Sequence, residues 1–315
     1  MKKTILLFIA PFIFSYGIAA AAEPQQPLKG KITVSGAFAL YPLTVKWAEE
    51  FKKLNPGVSI DISAGGAGKG ITDVLSGMAD IAMVSREINP EETKKGAYGF
   101  AVTKDAVVPT MSALHPALND IMKKGMKRDA FVNLWITGQF KTWGQAAGIK
   151  STAPVHVFTR SDAAGAAETW AGYLGKKQED LLGIGVFGDP GLAMAVKKDA
   201  VSIGFNNIVY VYDSKTKRQT NGVRIIPIDL NKNGTIDPDE NFYDTIELLI
   251  DAIVKGKYPS PPARDLYLVT KGKPVDPVVV EFLRFILTTG QQYVHEAGYI
   301  NLAPEKLSSQ ILRLK

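Results

Sequence analysis

The chain has 315 residues, 46% apolar, 22% charged and 9% aromatic, with 37 Lys and Arg against 31 Asp and Glu for a formal net charge of +6. That balance excludes a disordered, collagenous or coiled-coil protein, and the length allows about two domains at roughly 150 residues each. The absence of cysteine excludes disulfides, thiolate metal sites, a cysteine nucleophile and a lipidated N-terminal cysteine.

In chain order, Lys2 and Lys3 precede an apolar run from Ile5 to Ile18 that ends in Ala19 to Ala22. Basic head, short apolar stretch and small-residue exit predict a secretory signal over residues 1–22, cut after Ala22. Cleavage leaves 293 residues from Glu23 and removes Lys2 and Lys3 but no acid, so the net charge falls from +6 to +4. The alternative, a retained anchor, needs about 20 spanning residues and usually lacks the alanine-rich exit. No later stretch is long and apolar enough to span a bilayer, so the mature chain is expected in a Gram-negative periplasm or secreted, without membrane insertion.

Strand and helix signals then alternate, which predicts an α/β fold. Lys31 to Ser35 is β-rich. Tyr41 to Leu54 has helical spacing, with Val45, Ala48, Phe51 and Leu54 near one face, and Asn55-Pro56-Gly57 stops it. Val58 to Ile62 and Ala79 to Val84 read as strands either side of a helix opened by Gly65 to Gly70. Further strands are predicted at Gly99 to Val108, Val155 to Phe158, Val201 to Tyr212, Val223 to Ile228 and Asp265 to Thr270. Helices are predicted at Ala166 to Leu174, Tyr243 to Val254 and Pro277 to Thr288. The Pro-rich Tyr258 to Pro262 is the best linker candidate. Basic doublets such as Lys94-Lys95 and Lys123-Lys124 are scattered without aromatic interleaving, so nucleic acid is not an expected partner.

Three small-residue turns each precede a predicted helix: Ser35-Gly36-Ala37-Phe38-Ala39, Gly65 to Gly70, and Arg160-Ser-Asp-Ala-Ala-Gly-Ala166. A helix start leaves backbone N–H groups without partners and carries partial positive charge, so an anion can be held there. Any one such turn is more simply read as a tight strand–helix connection; three of them with an arginine make a collective signal. Enzyme motifs fail by contrast. Lys69 has no Ser or Thr after it as a P-loop requires, no G-x-G-x-x-G, G-x-S-x-G or H-E-x-x-H occurs, and His115, His156 and His295 are far apart. Binding without catalysis is expected.

At these turns the sequence resembles the phosphate-binding periplasmic components of Pst-type ABC transporters, within the type II substrate-binding-protein superfamily. The resemblance runs from about Lys31 to Ala303. It is carried by Ser35-Gly36…Tyr41-Pro42-Leu43, Gly65 to Ile71, Ala79 to Arg86, the Arg160 turn, Ser202 to Phe205 and Tyr258-Pro259…Leu266 to Val269. It implies a two-lobed fold, with residues 28–104 and 264–315 in one lobe and 105–263 in the other, closing on an oxyanion. The ligand positions it implies are Ala39, Leu40, Ala67, Lys69, Ser85, Arg160, Ala164, Gly165 and Ala166. It further implies phosphate or a similar oxyanion as ligand, an ABC transporter permease as partner and a monomer. The alternative is a secreted or periplasmic binding or sensory protein of the same fold with another ligand.

The chain departs from the family where hydroxyls are usual: Ala37, Phe38 and Ala39 fill the first turn, Ala67 and Lys69 the second, Ala164 and Ala166 the third. Each missing hydroxyl removes a donor worth roughly 1.5–3 kcal/mol to a charged partner. Backbone N–H groups, Arg160 and Lys69 remain. Asp162 is read either as the group that orients Arg160, as the resemblance implies, or as a cap of the following helix. Removing Arg160 is expected to abolish binding and leave the fold intact.

A separate motif, Asp229-Leu-Asn231-Lys-Asn233-Gly234-Thr235-Ile-Asp237-Pro-Asp-Glu240, satisfies D-x-[DN]-x-[DN]-G-x5-E. Asp229, Asn231, Asn233, Thr235, Asp237 and Glu240 occupy the six calcium-ligand positions of such a loop. A structural calcium is the predicted cofactor; the alternative is a polar Asn-Gly turn.

Overall fold

The computed structural model describes residues 27–314; the predicted signal segment and its cleavage point lie outside them. In chain order the strands and helices are β1 (Lys29–Gly36), α1 (Tyr41–Leu54), β2 (Gly57–Ala64), α2 (Ala67–Ser76), β3 (Ile81–Val84), α3 (Pro90–Lys94), β4 (Ala97–Ser112), α4 (Leu118–Lys124), α5 (Arg128–Trp135) and α6 (Trp143–Ala147). They continue as β5 (His156–Arg160), α7 (Gly165–Tyr173), β6 (Ile184–Val186), α8 (Asp189–Lys198), β7 (Ser202–Asn207), β8 (Val223–Ile225), α9 (Ile246–Val254), β9 (Ala263–Lys271), α10 (Pro277–Leu287) and α11 (Pro304–Leu314). This is the α/β, two-lobed alternation expected of the sequence, with mixed sheets flanked by helices.

The strand order is β2-β1-β3-β9-β4-β7-β5-β6, with β8 also on β4. Parallel β2-β1-β3 abut the antiparallel pair β9 and β4, whose register runs from Ala97↔Lys271 to Ala106↔Ala263. Beyond that point β4 pairs with β7 and β8 instead. Two hydrophobic cores result, divided along β4 between Val102 and Ala106 and along β9 between Ala263 and Leu266. One holds Trp47, Phe51 and Phe282; the other is built on Trp135, Trp170 and Phe205, whose rings meet within 6 Å.

Where the structure differs from expectation, packing supplies the reason. The predicted Pro-rich linker leads into the crossing but does not make it: Tyr258 is buried in the second core, donating its hydroxyl to the Val107 carbonyl at 2.6 Å. The crossing is the β4–β9 ladder. Helix α1 has the predicted span, but its buried stripe is Leu43, Thr44, Trp47, Ala48 and Phe51, while Leu54 is exposed. The bulk of Trp47, enclosed between lobe-one elements, fixes the rotation of the helix. The predicted strand from Val201 ends at Asn207, where a 3-10 turn over Ile208–Tyr210 begins.

Candidate anion site between the lobes

The three turns converge. The N–H groups of Gly65 and Gly66 both donate to the Gly36 carbonyl, at 2.9 and 3.1 Å, joining the first turn to the second. The Gly68 N–H, in the first turn of α2, donates at 3.1 Å to the Ala163 carbonyl, joining the second to the third. Gly66 has φ +92°, and a Cβ there would stand 2.8 Å from the Ala163 carbonyl oxygen, so only glycine allows this approach. At Gly165, the first residue of α7, a Cβ would overlap the Ser85 hydroxyl and carbonyl. The starts of α2 and α7, the end of β3 and the turn before α1 therefore meet at one point between the two cores.

Arg160 ends β5 at that point, with its side chain 1% exposed. Its Nε and Nη2 donate to the two oxygens of Asp162 at 2.8 and 2.6 Å, and its Nη1 to Asp189 at 2.5 Å. Burial works against the guanidinium charge, but Asp189 and Asp162 outweigh it and hold the pKa above the ordinary arginine value. The two readings of Asp162 separate here: it orients Arg160 and also accepts the Gly188 N–H at 3.1 Å, while α7 has no side-chain cap. Asp189 is fixed in turn by Asn207 Nδ2 at 2.5 Å. Asn207 Oδ1 accepts from Arg264, which pairs with the fully buried Asp105 at 2.8 Å on the crossing strands. A continuous polar chain thus leads from the cleft to the hinge ladder.

Arg160 faces two carboxylates, so the cluster has a formal charge of −1, not +1. Three of its five N–H groups are used by these partners, leaving two for a ligand. Helix geometry leaves the N–H groups of Gly165, Ala166 and Ala167 without intrahelical acceptors. The Ala164 N–H is taken by Gln178 Oε1 at 3.1 Å, and Gln178 also braces the Asp162 carbonyl.

Of the sequence-derived positions, Ala39 and Leu40 lie fully buried in the 3-10 turn before α1, and Ala67, Ser85, Arg160, Ala164, Gly165 and Ala166 all border the convergence. Tyr210 and Tyr299 donate to the Phe38 and Ala39 carbonyls at 2.8 and 2.7 Å, pinning that turn. Lys69 is the exception. Its ammonium pairs with Asp73, one helical turn on, and donates to the Ser35 hydroxyl at 3.1 Å, away from Arg160. Burial works against the Asp73 charge, but Lys69 and Ser35 outweigh it and keep its pKa below the usual value. The i,i+4 pair is the stronger local claim on Lys69. Removing Arg160 would also strand two buried carboxylates, so the arginine supports the fold as well as the site.

Sequence reasoning missed Asp189, Asn207, Gln178 and Tyr210. Asp189 opens α8 behind Gly188, at φ +73°, and before Pro190. That helix-start pattern was legible, but not its pairing with Arg160 29 residues away. Phe38 matters through its ring, which lies 5.6 Å from the Arg160 guanidinium and meets Phe187 edge-on at 5.8 Å. With Tyr41, Val45, Ile62, Pro190 and Tyr210 it lines an apolar groove of about 720 Å³ at the cleft.

A family model for the PBP superfamily domain matches residues 21–289. Among curated proteins, the chain is 26% identical to the phosphate-binding protein PstS of Pseudomonas aeruginosa, over 98% of this chain and 96% of that one. It is 27% identical to PstS of Bacillus subtilis over 71% of this chain and 76% of that one. Among solved structures, a Clostridium perfringens protein with bound phosphate superposes with a TM-score of 0.70 at 22% identity, covering 87% of this chain and all of that one; this likeness shows the fold. With a family model spanning most of its length and two lobes meeting at a shared cleft, the chain belongs to the PBP superfamily domain family.

Proposed function

We propose that the protein is an extracytoplasmic solute-binding protein that closes around phosphate or a similar oxyanion and delivers it to an ABC transporter permease, without covalent chemistry. The observation that carries this reading is the convergence of helix starts on a buried, immobilised guanidinium between two lobes. Backbone N–H groups at α2 and α7, the Ser85 hydroxyl and the free N–H groups of Arg160 are the donors available to an anion. The names of the similar proteins, phosphate-binding in each case, support the choice of anion. Among the described residues no helix is long and apolar enough to cross a membrane.

The chemistry of binding follows from what replaces the hydroxyls. An oxyanion at the meeting point exchanges water for main-chain donors that need no rotamer fixing, so their direction is set by the fold itself. The −1 charge of the Arg160 cluster opposes a dianion, so affinity rests on hydrogen bonds more than on net attraction. Calorimetric titration of the mature chain with phosphate, sulfate, molybdate and a carboxylate series tests this. One saturable phosphate site per chain is expected. No binding of any oxyanion sinks the proposal, and tight binding of a carboxylate alone assigns the cleft to another ligand.

A further inference from the structure

We propose that the loop Asp229–Glu240 is a calcium site that fastens the second lobe. Asp229 is 2% exposed. Its Oδ2 accepts the Gly234 N–H at 2.9 Å across the turn, whereas its Oδ1 is buried with no hydrogen-bond partner among the described residues. A buried carboxylate oxygen without a donor is costly, and a cation is the group that relieves it.

The rest of the loop folds back towards the turn that Asp229 begins. Glu240, 5% exposed, accepts the Leu230 and Asn231 N–H groups on Oε1 at 2.8 and 3.0 Å and the Asp237 N–H on Oε2 at 3.3 Å, so the far end of the loop is drawn back over its beginning. Asn231 and Asn233 both donate to Asp237 Oδ2 at 2.8 Å, which brings the side chains of loop positions 3, 5 and 9 together. Gly234, at φ +86°, makes the reversal. The amide oxygens of Asn231 and Asn233 each accept a loop N–H at 2.9 Å and keep a second lone pair for a metal.

The donors are all oxygen, which selects a hard cation. Among the described residues no three His, Cys, Asp or Glu side chains cluster to hold a metal, so the set must be completed by the two Asn amides and the Thr235 carbonyl. Calcium accepts six to eight such oxygens in flexible geometry; magnesium demands a tight octahedron and gives up its water reluctantly. Two neutral amides in place of carboxylates put the affinity in the weak range of extracellular modules, about 10⁻⁴ to 10⁻³ M. The loop is stitched to the last turn of α4 by Ile236 N–H to the Lys123 carbonyl at 2.8 Å and to the α4–α5 connection by Asp229 N–H to the Met126 carbonyl at 3.1 Å. A bound ion would lock that junction independently of the anion cleft.

The test uses the mature chain stripped with EDTA, melted and titrated calorimetrically with calcium or magnesium chloride. Calcium at about ten times its Kd is expected to raise Tm by about 2–5 °C with one ion bound per chain, magnesium far less. Asp229→Asn removes the rise, and Asp237→Ala, at a partly exposed position that leaves the fold intact, weakens binding at least tenfold. The absence of a calcium effect in the parent, an equal effect of magnesium, or a calcium effect that survives in both variants overturns the site.

Discussion

Arg160 and Asp229 are both buried, at 5% and 2% exposure, yet their surroundings err in opposite directions. The arginine meets two carboxylates where one would neutralise it; the aspartate keeps an oxygen that no donor among the described residues meets. The first arrangement is a finished support, rigid before any ligand arrives. The second waits for a cation. Polar groups of similar burial thus do different work, and what separates them is whether the chain already supplies the opposite charge.

The largest effect expected from breaking this contrast is at Arg160. Arg160→Met strands Asp162 and Asp189 and should destabilise the protein by about 3–5 kcal/mol, read from urea unfolding. Asp229→Asn in EDTA should cost far less, because it removes a charge that already lacks a full set of partners. A small loss at Arg160 would mean the two aspartates find water or protonate at little expense.

Next in size is the restoration of hydroxyls. Ala164→Ser and Ala166→Ser, both at positions 2% exposed, each add one donor beside the free N–H groups of α7. A hydrogen bond to a charged ligand is worth about 1.5–3 kcal/mol, against a packing cost of about 1–3 kcal/mol for added bulk. Phosphate affinity by calorimetry should rise about tenfold in the better of the two. Unchanged affinity in both would place the anion elsewhere than at the start of α7.

The smallest effect concerns His115, another buried group with a partnerless atom. Its Nδ1 accepts the Ala117 N–H at 3.1 Å, its Nε2 has no partner among the described residues, and its ring lies 4.4 Å from that of Trp143. Burial lowers its pKa below the ordinary 6.5. Its contribution to stability is therefore present above about pH 6.5 and lost as pH falls through the depressed folded value. The urea midpoint should drop between pH 7.5 and 5, and His115→Phe should flatten part of that drop; an identical pH profile in the variant would remove His115 from the account.

Much of the architecture was legible because it is local. Helix α1 starts and stops where Tyr41-Pro42 and Asn55-Pro56-Gly57 dictate, and the three turns are visible as runs of small residues. The loop motif was legible in full, since its spacing is a chain-local property. Lys69 shows the opposite: its i,i+4 partner Asp73 was in view, but family position spoke louder than helical spacing. Asp189, Asn207 and Arg264 could not be read, because they join Arg160 and Asp105 over 18 to 159 residues of intervening chain and only the folded sheet brings them together.

The most direct test of the cleft is a backbone amide NMR titration of the mature chain with phosphate. The Ala67, Gly165, Ala166 and Ala167 resonances should shift together and saturate with a single constant, while that of Gly234 stays in place. Saturable shifts confined to other surfaces, or none at all, would contradict an anion held by the converging helix starts.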